Sequence, residues 1–570
     1  MIWFDHSIQM IKEFRPWYLF FIFAIFISIL ETAAYKLGGV YSVFASRVWL
    51  IYTTFYFASS IFIFSKLIIE DVKTRYILGI IALLCVAIIT FWDIHTYKYL
   101  HHEATQQIGA AFINLKKADL NYTGLSFIDY PSRQYLIAAI PSFVLGQNAF
   151  ALRLGFAFQF YLGVLIFYTG LRVFLRKSFY SSYIVPVVII SITTFPYVVN
   201  FLRNYEQAIY PISFTMQAIG WYLLCSNELT VFRAINLCYI GGLLVTSYSP
   251  GIGVWMLLIL FILINIFHNY TNRNFDKLII WLGCMLVILV FGINSISVQT
   301  KSINIKFILD CDKWLGNIIE TLKIIFFAHP KTYFSLLLIL PIIAYMLSSL
   351  CWFNGLSHFI VASWSVAFIL LSNCILGYFT PHPLLGLHRA NIVIPVLLTG
   401  LAILTHQWMQ RQKIPVKNCI FWIILLIFVS HSFFNLHMAM LKKKRHRAMD
   451  YLMKDIVLEK KMLGIGMLEE INIGIFPRKP NFNNALDFLE YFLPDCNYFP
   501  VVNRLFRDFD PDLRGIIYIN ESCEFKEAIM TFFKDRNIKT KYFNIELSEK
   551  DSLKMTKLIY YPRKIASMNK

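Results

Sequence analysis

Long uninterrupted apolar runs, rather than alternating or helically spaced ones, dominate the first three quarters of the chain. Runs long enough to cross a hydrocarbon core fall at 17–35, 47–68, 76–95, 150–173, 182–200, 209–226, 233–249, 251–268, 277–295, 333–351, 357–376, 391–408 and 419–438, about thirteen spans in all. Basic residues cluster in alternate short loops: Lys66, Lys73 and Arg75; Arg172, Arg176 and Lys177; Arg273 and Lys277; Arg411, Lys413 and Lys417. Those loops are therefore assigned to the cytoplasm, and the segments 96–149, 201–208, 296–332 and 377–390 to the outer face. Function is expected on the outer segments, because long loops held by rigid spans carry binding and catalytic groups.

Two apolar stretches do not fit the span pattern. Residues 136–146 (LIAAIPSFVLG) are too few to cross and predict a re-entrant or surface helix; residues 305–327 mix charges into an apolar face and predict a helix along the interface. After residue 440 the pattern changes again. The basic run 442–447 (KKKRHR) opens a polar tail, 441–570, with strands expected at 515–520, 541–545 and 557–562 and helical stretches between them. The sequence thus predicts a polytopic α-helical membrane protein, residues 1–440, carrying a small C-terminal α/β soluble domain. An odd span count puts that domain outside, whereas the basic run beside the last span argues for the cytoplasm.

Composition agrees: 58% of residues are hydrophobic and only 15% charged, with a mean hydropathy of +0.60, which excludes a soluble globular or disordered chain. The net charge of +19 points to anionic membrane lipid rather than to nucleic acid, since basic residues sit in the loops and at headgroup level. Ten cysteines are scattered, most inside apolar runs (Cys85, Cys225, Cys238, Cys284), and read as core residues. Cys496 and Cys523 share the polar tail, where an oxidising compartment would allow a disulfide.

Acidic residues at outer ends of apolar runs are the candidates for chemistry. Asp93 ends the third run, Glu103 opens HHEATQQIGAAFINLKKADL, which has the apolar spacing of a helix, and Glu206 lies in FLRNYEQAIYP three residues after Arg203. A carboxylate at the water–lipid boundary can serve as general base toward an incoming hydroxyl or amine. The same residues could instead cap a helix or pair with Arg203. No zinc-type Cys/His spacing occurs, and no cofactor is indicated, although His102, Glu103 and Glu206 offer ligands for a divalent metal ion.

The stretch HHEATQQIGAAFINLKKAD followed by YPSRQYLIAAIPSFVLGQNAFALRLGFAFQFYLG resembles the first outer loop of GT-C glycosyltransferases of the family 39 type, which includes protein O-mannosyltransferases and lipid A aminoarabinose transferases. The matching positions are Glu103; Tyr130, Pro131 and Tyr135; Leu145 and Gly146; and Arg153 with Leu154. NYEQAIYPISF resembles the family's second acidic position, at Glu206, and HRANIVIPVLLTGLAIL its late basic-to-proline segment, at Arg389 and Pro395. The resemblance spans roughly residues 76–410 and departs at His102, where the family has aspartate, and at Ser132, where it has proline. It implies a GT-C-like membrane domain. It also implies inverting transfer of a sugar from a polyprenyl-phosphate donor to a glycan, lipid or protein acceptor on the outer face. Glu103 would then be the base with Asp93 as its alternative, Glu206 and Arg203 a second acidic site, and Arg389, His388 and Lys331 the holders of the donor phosphate. A transporter or flippase of a lipid-linked glycan would share the spans and basic loops; it should place ionisable residues inside the spans.

Overall fold

The computed structural model describes residues 16–73, 76–91, 135–175, 181–195, 209–246 and 251–299, short pieces such as 108–109, 111–112, 398–400 and 455–456, and from the tail 472–476, 497–499, 515–520, 525–536, 540–546 and 554–560. The first half is helical: α1 (Pro16–Leu37), α2 (Gly39–Lys73), α3 (Ile77–Phe91), α4 (Leu136–Leu145), α5 (Ala149–Phe174), α6 (Ser181–Thr193), α7 (Ile209–Asn227), α8 (Val231–Thr246), α9 (Gly251–Thr271) and α10 (Phe275–Gln299). Five of these, within α1, α2, α5, α9 and α10, are long and apolar enough to cross a membrane. The expected spans at 333–351 and 357–376 and the interfacial helix at 305–327 lie outside the described residues, as does most of 391–408 and of 419–438.

One predicted span is shorter than its apolar run. Helix α6 stops at Thr193, with Thr194 in a turn and Phe195 in a bend, where the run 182–200 carries Pro196. Proline disfavours the helical conformation of the residue before it, and hydropathy alone does not register that. Helix α4 behaves as its length requires: ten residues rise about 15 Å, half of a bilayer core. It buries Leu136, Ile137, Ala138 and Ala139 and leaves Phe143, Val144 and Leu145 exposed.

Side-chain sorting follows the membrane as solvent. Along α1, Phe20, Ala24, Ile27 and Ala34 recur at helical spacing on the buried face, while Leu19, Ile22, Phe26 and Ile29 point outward. Helices α2 and α3 likewise expose Ile51, Phe62, Leu84 and Ile88. Large apolar residues over the outside of a helical bundle of this hydropathy suit contact with hydrocarbon rather than with water. Helix α5 is different, with 78% of its apolar window buried against 33–50% for the other four spanning helices.

Because lipid tails are as apolar as the side chains, close backbone approach replaces hydrophobic driving force in joining the helices. The α5–α7 pair shows this best. Gly163 lies against Ser213, Gly170 against Gly220, and the Ser213 hydroxyl donates to the Gln159 carbonyl at 2.8 Å. Each pair is offset by about fifty positions in the same direction, so the two helices run parallel. Elsewhere Gly283 of α10 packs on Phe20 and Ala24 of α1, and the Trp255 indole of α9 donates to the Ile288 carbonyl of α10 at 3.0 Å.

The tail forms a five-stranded sheet in the order β2-β1-β3-β5-β4: β1 (Asn472–Phe476), β2 (Asn497–Phe499), β3 (Gly515–Asn520), β4 (Thr540–Glu546) and β5 (Lys554–Tyr560). β1 pairs parallel with β2 and β3, and β5 lies antiparallel between β3 and β4. The helix α11 (Lys526–Asp535) connects β3 to β4 and buries Ile529 and Phe533 against Ile517, Leu558 and Tyr560. Among these strands β3 lies at its predicted position, β4 extends one residue beyond 541–545 at each end, and β5 begins three residues early. Cys523 is a free, buried thiol rather than half of a disulfide, and Cys85 is exposed on α3 rather than in the core. Cys225, Cys238 and Cys284 are buried as expected.

Candidate functional site

The N-terminal ends of α5 and α7, which the charge pattern assigns to the outer side, meet α4 in an aromatic corner. Tyr135, just before α4, sets its ring edge-on to Tyr210 of α7 at 4.8 Å, and Phe156 of α5 stands 5.9 Å from the same ring. The corner is fixed by local sequence. Gly146 ends α4 at φ +81°, a conformation glycine adopts without strain, and Asn148 then caps α5 by accepting from Ala151 N at 2.8 Å. The Asn148 amide also donates to Leu145 O at 2.7 Å, tying the end of one helix to the start of the next. Gly155 lets α5 pass so close to Ala138 that a Cβ would overlap the Ala138 carbonyl.

Residues 108–109 and 111–112 are helical, as the spacing of HHEATQQIGAAF predicts, and Ile108, Ala111 and Phe112 are buried. Phe112 lies 4.6 Å from Phe143 at the tip of α4, so this helical piece packs against α4. Because α5 and α7 are parallel, Ile209, the first residue of α7, lies at the same end. Glu103, His102, Asp93, Glu206, Arg203, Lys331, His388 and Arg389 themselves lie outside the described residues.

The corner holds polar groups that the sequence pattern did not single out. Arg153, a match position of the family resemblance, is 3% exposed in the first turns of α5. Below it, Gln159 and Tyr210 are fully buried, and among the described residues neither the Gln159 amide atoms nor the Tyr210 hydroxyl has a hydrogen-bond partner. A buried polar group left so costs about 1–3 kcal/mol, and proteins retain such groups where a ligand or water completes them. The only sign in the sequence is an amide inside the aromatic run GFAFQFYLG.

Two buried carboxylates sit inside spanning helices, and neither stands out in the sequence. Glu31 of α1 is buried and accepts from the Trp49 indole at 3.2 Å. Asp71, near the end of α2, accepts from the Tyr168 hydroxyl at 2.6 Å and pairs with Arg172 Nε at 3.2 Å. The Arg172 guanidinium also lies 4.1 Å above the Tyr76 ring, and Tyr76 donates to Ser181 O at 2.6 Å, so one polar node joins α2, α3, α5 and α6 at the end opposite the corner. Among the described residues no group of three His, Cys, Asp or Glu side chains could hold a metal ion.

No protein-family model matches the chain, and no curated protein does. Among solved structures, ArnT from Cupriavidus metallidurans bound to undecaprenyl phosphate aligns over 85% of this chain and 98% of its own, at 10% identity and a TM-score of 0.49. Its apo form aligns over 84% and 97%, also at 10% identity, with a TM-score of 0.44.

Proposed function

We propose that the protein is a membrane glycosyltransferase of the GT-C kind, moving a sugar from a polyprenyl-phosphate donor to an acceptor on the outer face. The observation that carries this reading is the order of described elements along the resembling stretch: a helical piece after Glu103, a short non-spanning helix closed by Gly146, and a capped span with Arg153 buried in its first turns. In this reading Glu103 removes the proton as an acceptor oxygen or nitrogen attacks the anomeric carbon. The bond from that carbon to the phosphate oxygen breaks with inversion, and the lipid phosphate departs with the electron pair. Arg389, with His388 and Lys331, holds the departing phosphate through charge-assisted hydrogen bonds. Asp93 is the alternative base; Glu206 and Arg203 position the base, and Glu206 with His102 and Glu103 offers ligands for a divalent ion. The buried amide of Gln159 and the phenol of Tyr210 suit a ligand rich in hydroxyls, since each both donates and accepts.

The test is release of free lipid phosphate from a panel of polyprenyl-phosphate sugars by the nanodisc-held protein, wild type beside Glu103→Gln. Turnover abolished in a folded variant supports the reading; turnover unchanged by the substitution removes Glu103 as base. A second reading, export of a lipid-linked glycan, is favoured by Glu31, because a carboxylate buried inside a span is what transporters use. It expects lipid-linked glycan to cross proteoliposome membranes without any release of lipid phosphate, and Glu31→Gln to stop it.

A further inference from the structure

The far end of the helical bundle contains a partly open cavity of about 80 Å³. Its wall is built by Phe174 in the last turn of α5, Leu223 of α7, Leu257 and Phe261 of α9, and Val396. On the same measure a single water needs about 10–15 Å³, so the space takes a run of several methylenes.

The wall decides the chemistry of the occupant. Tyr222 and Thr399 bring hydroxyls to it, but Tyr222 already accepts from the Asn265 amide at 2.8 Å and Thr399 donates to Pro395 O at 2.6 Å. Among the described wall residues the other polar one, Ser226, is exposed and stands at the rim. A buried water needs two to four polar partners, and a phosphate or sugar needs more, so this wall suits neither. Hydrocarbon is at hand: α9 turns Leu260, Leu263 and Phe267 outward beside the inward-facing Leu257 and Phe261.

Position decides which hydrocarbon. Sixteen residues of α7, about 24 Å of helix, separate Ser226 from Tyr210, so the rim lies in the leaflet opposite the aromatic corner. Cations mark that level: Arg233 beyond α7, bound to Leu224 O at 2.8 Å and to the Glu228 carboxylate at 2.9 Å, and exposed Arg273 and Lys277 at the α9–α10 turn. A phosphate headgroup finds its partners there, whereas a donor lipid whose phosphate sits at the corner enters from the other face.

We propose that this cavity is a lipid site, occupied by one acyl chain of a phospholipid from the leaflet at the C-terminal ends of α5 and α7. The test is lipid extraction and mass spectrometry of the full chain purified in mild detergent, for wild type, Ala218→Phe and the milder Ala218→Leu, both of which grow a wall residue into the space. Wild type should keep about one phospholipid per chain, and added phosphatidylglycerol should raise its unfolding temperature; the folded filled variant should keep at least about fivefold less and show no rise. Equal retention by wild type and a folded variant, no phospholipid on wild type, or polyprenyl lipid alone would each overturn the proposal. Lipid retention is read without turnover, so its failure leaves the transferase reading standing.

Discussion

The carboxylate of Asp71 and the guanidinium of Arg172 meet 3.2 Å apart although 101 residues separate them in the chain. The Asp71 side chain is 1% exposed and that of Arg172 12%. Removing one partner strands the other charge away from water, which costs about 3–5 kcal/mol in buried pairs. Asp71→Ala should therefore destabilise strongly, and Asp71→Ala with Arg172→Met should recover much of the loss. Thermal unfolding of the single and double variants in detergent checks this, and additive losses would contradict it.

A methyl on Gly170 would run into the Gly220 backbone and one on Gly220 into the Ile166 carbonyl, and backbone cannot rotate aside. At Gly241 a methyl would meet the Ile288 side chain, whose Cδ1 is 2.7 Å away and can rotate. Gly220→Ala should cost about 1–3 kcal/mol by overpacking, and Gly241→Ala clearly less. Equal losses in an unfolding titration would show that the close approach of α5 and α7 is not decisive.

The spans were legible because an apolar run long enough to cross a bilayer has few other uses, and α1, α5, α7, α9 and α10 lie where such runs predict. Partnership was not. Arg172 reads as one more loop cation and Asp71 as one more charge at a span end; nothing in either neighbourhood says that they pair. Glu31 lies inside the first predicted span and is hidden by the hydropathy around it. In the tail, GIIYIN and its neighbours stand out, while NIGIF and the three-residue NYF are too short to show an alternation. The aromatic corner was foreshadowed by family resemblance at Tyr135, Gly146 and Arg153. Gln159 and Tyr210 acquire meaning only from burial.

Asn148 joins two helices with a single side chain, accepting from Ala151 N and donating to Leu145 O. Its replacement by Ala should cost about 1 kcal/mol, the usual worth of an N-cap. Asn148→Asp, which keeps the capping oxygen, should recover most of the loss in the same unfolding measurement.

Gln159→Leu and Tyr210→Phe each delete a polar group that lacks a partner among the described residues. Without substrate these variants should unfold at the same or a higher temperature, by up to about 1–3 kcal/mol. Sugar transfer should fall in both. Lower stability with undiminished transfer would show the two groups to be structural.

If Arg389 holds the donor phosphate, Arg389→Ala removes a charge-assisted hydrogen bond worth about 1.5–3 kcal/mol, or roughly 10- to 100-fold in donor affinity. Donor titration by fluorescence or calorimetry should show that loss with the unfolding temperature little changed. Normal affinity would return Arg389 to the role of a headgroup-level anchor.

The burial of α5 has a mechanical consequence. Helices α1, α2 and α3 present their apolar outer faces to lipid, so a thinner or thicker bilayer tilts them first. The α5–α7 pair is shielded, and its glycine-to-backbone seating resists sliding of one helix along the other. The aromatic corner at its end is thereby insulated from changes in membrane thickness that the rim of the bundle absorbs.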